Sequence, residues 1–244
     1  MKKIINISIE ARMTSTRLPG KVMMNICAIK ALELMYLRVE RSKYINDIII
    51  ATTTNKQDDV IVSWCIENNI SYFRGSEENV YQRVVDTHNK FKSDIVVELT
   101  GDCPLLDPRL IDEAIEIYSN SNYDYVSNSL KMTYPIGMAV QVYSLDTLKS
   151  ISQNRTLEYQ DKEHVTPYIY TSGKYKILNI KAPHKLTMPE LSVTLDTKED
   201  FEVIENICKN FDDFSFGISD IIEFAKNNPN KVNANQNIHR KGLN

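Results

Sequence analysis

The stretch EARMTSTRLPGK, residues 10–21, sets Arg12, Arg17 and Lys21 among Thr14, Ser15 and Thr16 and closes on Leu-Pro-Gly-Lys. No acid occurs from Ala11 to Leu32. Cations spaced through small residues are the chemistry of polyphosphate binding. Backbone N–H groups of such turns cradle phosphate oxygens, and arginine grips them bidentately. The alternative is a solvated loop with ordinary charges, and Lys21 is expected to be exposed. The stretch is not a Walker A loop: Ser15 stands where that motif needs its first Gly, and Val22 follows the lysine where Ser or Thr is required. Nor does it match the GxGxxG fingerprint.

Two aspartates stand out next. Asp102 lies in LTGDCPLLDP and Asp196 in SVTLDTKED, each just after a run of strand-like residues. Two carboxylates joined by phosphate oxygens make a typical Mg²⁺ environment. Each has a plainer reading: Asp102 closes an Asx-type turn, and Asp196 caps a helix, with Thr197 and Asp200 as a rival capping box. Asp107 before Pro108 reads as a plain N-cap. GSEENVYQR, residues 75–83, opens a helix whose start suits an anionic or hydroxylated ligand. There Gln82 and Arg83 lie off the apolar stripe and face either a ligand or solvent. In KEHVTPY, residues 162–168, His164 faces a second substrate or is structural.

These residues need a scaffold, and the pattern supplies one. Residues 4–9, 47–53, 70–73 and 94–100 read as buried strands. Between them, residues 29–39, 58–69 and 76–91 carry helical spacing, with Asp58 and Asp59 suiting the positive start of the second helix and Ser76 as an expected N-cap of the third. Such alternation predicts a largely parallel sheet with helices on both faces and right-handed crossovers. Ligands of such sheets bind where the C-terminal strand ends meet loops and helix starts. The basic loop, Asp102 and Gly75 all fall there. The second half predicts strands in DYVSN, MAVQVYS, YKILNI and LSVTLD. It also predicts a helix broken near Pro167 and a further helix over KEDFEVIENICKNF. Residues 1–226 are expected to form one domain, with an acceptor and dimerisation region at about 130–190. Residues 227–244, rich in Asn, are expected to be a surface arm or partly disordered.

The bulk numbers exclude several classes. With 244 residues the chain can bury a full core without staples. A net charge of -3 argues against general affinity for nucleic acid or acidic membranes. Cys27, Cys65, Cys103 and Cys208 show no CxxC spacing, so zinc is not expected, and reduced thiols suit a cytoplasmic protein. The apolar run after MKK is short, so neither a signal peptide nor a membrane span is expected.

Taken together and in order, ARMTSTRLPGKVM, RGSEENVYQRVVD, LTGDCPLLDP, KEHVTPYIY and LDTKEDF resemble one family, the cytidylyltransferases of the CMP-sugar synthetase group. The chain is most similar to the spore-coat polysaccharide biosynthesis branch, related to CMP-Kdo and CMP-sialate synthetases. The similarity runs from the first strand to the C-terminal IHRKG. The resemblance implies a Rossmann-like nucleotidyltransferase fold and a homodimer. It implies CTP as donor, Mg²⁺ as cofactor, an acidic sugar of the nonulosonate or 3-deoxy-ulosonate type as acceptor, and pyrophosphate as leaving group, for surface glycan synthesis. Carried over by position, Arg12, Ser15 and Lys21 grip the CTP phosphates, with Ala11, Met13 and Arg17 beside them. Thr52, Thr53, Arg74 and Gly75 lie near the nucleoside. Asp102 and Asp196 hold the metal and, with Arg12 and Lys21, make the catalytic set. The acceptor sits among Asn79, Gln82, Arg83, Glu163 and His164. The chain departs from CMP-Kdo synthetases at Cys103, where they carry Glu, and at Gly-Ser-Glu-Glu-Asn, where they carry a Ser-Gly-Thr type stretch. The donor site therefore carries over better than the acceptor site. Three rivals stand beside this reading: a phosphonate or polyol-phosphate acceptor, another NTP as donor, and a non-catalytic nucleotide-binding subunit of a glycan assembly system.

Overall fold

The computed structural model describes residues 2–238. Residues 239–244 of the expected tail, and with them most of IHRKG, lie outside the described residues. The chain begins with β1 (Ile5–Glu10), then a small hairpin of β2 (Asn25–Ile26) and β3 (Ile29–Lys30). α1 (Ala31–Val39), β4 (Asp47–Thr53), α2 (Asp59–Glu67), β5 (Ser71–Gly75), α3 (Val80–Lys90) and β6 (Ile95–Thr100) follow. The second half holds α4 (Pro108–Ser119), β7 (Tyr125–Ser127), β8 (Gln141–Ser144), α5 (Leu145–Asn154), α6 (Tyr159–His164), α7 (Pro167–Thr171) and β9 (Ile177–Asn179). α8 (Lys198–Cys208), α9 (Ile218–Asn227) and α10 (Pro229–Val232) end it.

Seven strands form one sheet in the order β5-β4-β1-β6-β8-β7-β9. β5, β4, β1 and β6 are parallel. β8 runs antiparallel to both β6 and β7, and β9 is parallel to β7. The fold is Rossmann-like, a mixed and mostly parallel sheet between helices. The apolar runs of β1, β4 and β6 explain it: a strand covered on both faces has no need to alternate. From β1 the chain passes to β4 on one side and reaches β6 on the other. This is a topological switch point, the place where such sheets open a ligand crevice.

The two faces differ. Ile7, Ile9, Ile48, Ile50, Val97 and Leu99 point into a large core with α1, α2, α4, α8 and α9. The other face packs Val96, Tyr125 and Tyr143 under α3, α5 and α7, and also carries acids, described below. Arg38 of α1 is 1% exposed and ties the first core to the loop after β6. Its guanidinium donates to the carbonyls of Leu105 (3.1 Å), Leu106 (3.3 Å) and Phe214 (2.6 Å) and lies 4.6 Å from the Phe216 ring centroid. Burial lowers its pKa to about 10, which keeps it charged at neutral pH. Arg38→Met should cost about 3 kcal/mol, since several buried carbonyls lose their donor. A melting temperature unchanged by that substitution would contradict this role.

Several expectations change. The helix expected from residue 29 starts at Ala31, because Ile29 and Lys30 pair with Ile26 and Asn25. The N-cap of α3 is Asn79, whose side chain accepts from Gln82 N; Ser76 instead accepts from Asn79 N. LSVTLD is not a sheet strand: only Ser192 bridges, to Ile136. The tail, expected as a surface arm or partly disordered, packs on the fold up to Asn235. Val232 is buried, and Asn235 Nδ2 donates to Ser192 O (3.1 Å) and Asp200 Oδ1 (2.7 Å). Asparagine composition hid the point that one buried amide can anchor a tail.

Candidate active site

The basic loop follows β1 and is built rather than loose. Gly20 N donates to Met13 O at 2.9 Å and closes the loop. Gly20 does so at φ 74, a left-handed backbone that glycine takes without penalty. Met13 N donates to Asp58 Oδ1 at 2.7 Å, and the other oxygen of Asp58 accepts from Thr53. Asp58 is fully buried, so the loop hangs on a carboxylate that the sequence offered only as a helix start. Leu18 N donates to Ser15 Oγ at 3.4 Å, and Leu18 and Val22 are buried beneath.

Lys21 is buried, not exposed. Its ammonium lies 3.0 Å from Asp102 Oδ2 and 2.8 Å from Asp196 Oδ1. The two aspartates come from loops 94 residues apart in sequence and meet on one cation. Leu195 N donates to Asp102 O at 2.7 Å, and Thr194 Oγ1 to the same carbonyl at 3.2 Å, which locks the two loops together. Gly101 lets the end of β6 lie close against the end of β1: a Cβ there would meet Glu10 O at 2.8 Å. Arg17 adds a second ion pair, 2.9 Å from Asp196 Oδ2. Burial pushes the Asp102 carboxyl up, and Lys21 with a Thr100 hydrogen bond more than offsets this, so its pKa is lowered. Burial lowers Lys21, and the two aspartates outweigh that and raise it. Both groups are charged at neutral pH. The capping box expected at Thr197 and Asp200 is present, which leaves Asp196 to face the cations. Cys103, beside Asp102, is buried, and burial pushes its thiol far up, so it is inert.

On the β4–β5 side, Arg74 donates to Thr53 O (2.8 Å) and Asn55 O (2.9 Å) and pairs with Asp59 (2.7 Å). Arg74 therefore shapes the loop after β4. Thr52 is buried, its hydroxyl without a partner among the described residues, beside Ala11, whose N–H donates to Ala51 O. Gly75 ends β5 against Arg83, whose Cγ a Cβ would meet at 2.8 Å. Glu77, absent from the sequence reading, joins three loops: it accepts from Arg12 (3.2 Å), Thr14 and Asn55. The Thr14 bond leads, with Asn55 and Arg12 adding, in holding Glu77 below the usual carboxylate range.

The residues expected around the acceptor are more scattered. Asn79 is a cap, and Gln82 is exposed and donates to Asp86 at 2.8 Å. Arg83 is 2% exposed, bonded to Ser76 O and facing Glu10, with its Nε unpartnered among the described residues. Glu163 and His164 sit on α6, which packs against α3. Tyr159, at the start of α6, hydrogen-bonds Glu163 and lies close enough to Arg12 to feel its charge.

Between these groups the sheet carries a polar row. Ser8 of β1 pairs in register with Glu98 of β6, Glu98 with Gln141 of β8, and Gln141 with Ser127 of β7. Paired residues share a face, so the row crosses four strands near the crevice. Glu10 lies two residues beyond Ser8, whose hydroxyl donates to it at 3.0 Å. Tyr143 donates to Glu98, and Tyr125 and Thr166 donate to Gln141 at 2.6 and 2.7 Å. Burial, then the neighbouring Glu98, push Glu10 well above the usual range. Burial pushes Glu98 to about 8, opposed by the Tyr143 bond. Acids inside INISIE and IVVELT were the available signal, since an ionisable residue in a central parallel strand is costly without a task.

This row has a pH signature. A carboxyl neutral in the folded state and ionised in the unfolded one loses stability as pH rises. For Glu98 the loss runs from about 4.5 to about 8 and levels off above. Glu98→Gln should therefore gain melting temperature relative to wild type at pH 8.5 and gain less at pH 5. An offset independent of pH would refute the buried neutral acid.

Among the described residues no group of three His, Cys, Asp or Glu gathers for a metal. The oxygen pair of Asp102 and Asp196 suits Mg²⁺, which binds by one or two carboxylates plus substrate phosphates. No helix among the described residues is long and apolar enough to cross a membrane.

The chain is 36% identical over 204 residues to the spore coat polysaccharide biosynthesis protein SpsF of Bacillus subtilis, covering 81% of this chain and 83% of that protein. It is 27% identical over 111 residues to 3-deoxy-manno-octulosonate cytidylyltransferase of Geobacter sulfurreducens, with 46% and 44% covered. The structure of a cytidylyltransferase from Leptospira borgpetersenii superposes with a TM-score of 0.88 at 30% identity, covering 98% of this chain and 100% of that one. The sequence model of the cytidylyltransferase family matches residues 7–236. The chain belongs to the cytidylyltransferase family, the CTP-dependent nucleotidyltransferases.

Proposed function

We propose that the protein transfers CMP from CTP to the hydroxyl of an acidic sugar, of the nonulosonate or 3-deoxy-ulosonate type, and releases pyrophosphate. The observation that carries this reading is the meeting of Asp102, Asp196, Lys21 and Arg17 at the switch point of the sheet. In the reaction an acceptor oxygen bonds to the α-phosphorus and the bond to the leaving pyrophosphate breaks. The hydroxyl proton passes to solvent. Arg12, Arg17 and Lys21 orient the triphosphate and neutralise charge building on the pyrophosphate. Thr52, Thr53 and the loop shaped by Arg74 receive the nucleoside. Asp102 and Asp196 would hold Mg²⁺. When bound, Mg²⁺ supplies further charge neutralisation at the phosphates and acidifies the attacking hydroxyl.

The acceptor approaches from the β6–β8 side, over Glu10 and Gln141, with α6 as its wall. A homodimer fits this architecture, because β9 is an edge strand with Ile177 partly exposed. The free cysteines suit a cytoplasmic setting for surface glycan synthesis. One observation favours a second acceptor class. The polar row presents Glu10, whose carboxyl accepts from the Ser8 hydroxyl, so a polyol-type acceptor without a carboxylate also fits. Pyrophosphate release from CTP, measured with Kdo, a sialate, a polyol phosphate and a phosphonate, separates the classes. Turnover with Kdo or the sialate supports the main reading. Turnover with only the others replaces it.

A further inference from the structure

We infer that Lys21 is a resident cation that keeps divalent metal out of the Asp102–Asp196 pair until a nucleotide draws its ammonium away. The inference rests on the reading of those aspartates as metal ligands and adds an order to the binding events. One ammonium bridges both carboxylates, at 3.0 and 2.8 Å. The lysine side chain is 11% exposed and the aspartates 26% and 13%. These contacts are thus poorly screened by solvent. With Arg17 on Asp196, two carboxylates face two cations among the described residues. A hydrated dication meets no net attraction there. To enter, it must also strand a buried ammonium, which is costly.

No third acid among the described residues tips that balance. A triphosphate does. It brings several negative charges that give Lys21 and Arg17 new partners, and oxygens that complete a Mg²⁺ shell. Lysine suits the exchange because its charge rides on a flexible four-carbon stem. Lys21 opens a short 3-10 turn behind Gly20, so the ammonium can swing while the loop stays tied to Asp58. Linkage makes the coupling reciprocal: metal strengthens nucleotide binding by the factor by which nucleotide strengthens metal binding.

The test uses Mn²⁺ as a probe, followed by electron paramagnetic resonance without nucleotide, on wild type, Lys21→Met, Lys21→Gln and Lys21→Arg. Melting curves confirm that each is folded, and two neutral variants guard against failure of one. A second arm measures CTP affinity of wild type and Asp102→Asn by calorimetry, with and without Mg²⁺. Expected is Mn²⁺ binding by the neutral variants on the order of tenfold tighter than by wild type or Lys21→Arg. Adding Asp102→Asn should abolish it. Mg²⁺ should tighten CTP binding in wild type and not in Asp102→Asn. Equal Mn²⁺ binding by wild type and the neutral variants would overturn the inference and leave the metal pair intact. So would absence of Mn²⁺ binding in the neutral variants, if Mg²⁺ still tightens CTP binding through Asp102. No Mg²⁺ effect and no Mn²⁺ binding anywhere would remove the metal reading itself, and the inference with it.

Discussion

Asp102→Asn should lower turnover roughly 10³-fold, about 4 kcal/mol of lost transition-state stabilisation, and leave the fold standing. The carboxylate is held at the end of β6 by backbone that the amide preserves: Leu195 N and Thr194 Oγ1 donate to the Asp102 carbonyl, not to its side chain. Lys21 keeps Asp196 as a partner. The substitution therefore removes a carboxylate that would hold Mg²⁺ without removing a support. Because Lys21 helps lower the pKa of Asp102 in the folded state, the native carboxylate adds stability above its ordinary pKa that disappears as pH falls. At pH 7 the variant should show a small drop in melting temperature beside a large drop in kcat. Wild-type turnover in the variant would dissolve the two-aspartate assignment.

Lys21→Ala should damage both properties. Loss of the ammonium at the leaving pyrophosphate should lower kcat by roughly 10²–10³-fold. Two mostly buried carboxylates also lose their shared cation. A fully buried pair would cost ~3–5 kcal/mol; the partial exposure of Asp102 reduces this to about 2 kcal/mol. The folded-state pKa of Lys21 is raised, so this contribution is complete below about 10.5 and fades only as pH climbs through the folded value. A measurement at pH 7 thus sees all of it. A melting-temperature loss accompanied by normal kinetics would make Lys21 a structural residue alone.

The sequence reading went furthest where one residue type answers to one constraint. The apolar runs at residues 47–53 and 94–100 became β4 and β6, and the basic loop, Asp102 and Asp196 converged as expected. What stayed hidden depends on partners distant in sequence. Lys21 looked like an exposed lysine because nothing local says that loops near residues 102 and 196 close over it. Asp58 looked like a helix-start acid, yet its oxygens hold Met13 and Thr53. Glu77 sat inside a motif noted for its position on the rim, but only the fold brings Arg12, Thr14 and Asn55 to it. Arg83 lay off the apolar stripe and is buried all the same, because Glu10 faces it. Helical periodicity cannot anticipate a charged core partner. The register from Ser8 to Ser127 could not be seen either, since cross-strand neighbours are fixed only once the sheet order is known.

The most direct test of CTP-dependent function is calorimetric titration of the intact protein with CTP, ATP, GTP and UTP, each with Mg²⁺. CTP should bind alone or at least tenfold more tightly than the others, a difference of about 1.4 kcal/mol. At 100 times its dissociation constant it should add about 2.7 kcal/mol of stability. Tighter binding of another nucleotide, or binding of none, would contradict the assignment of this crevice to CTP.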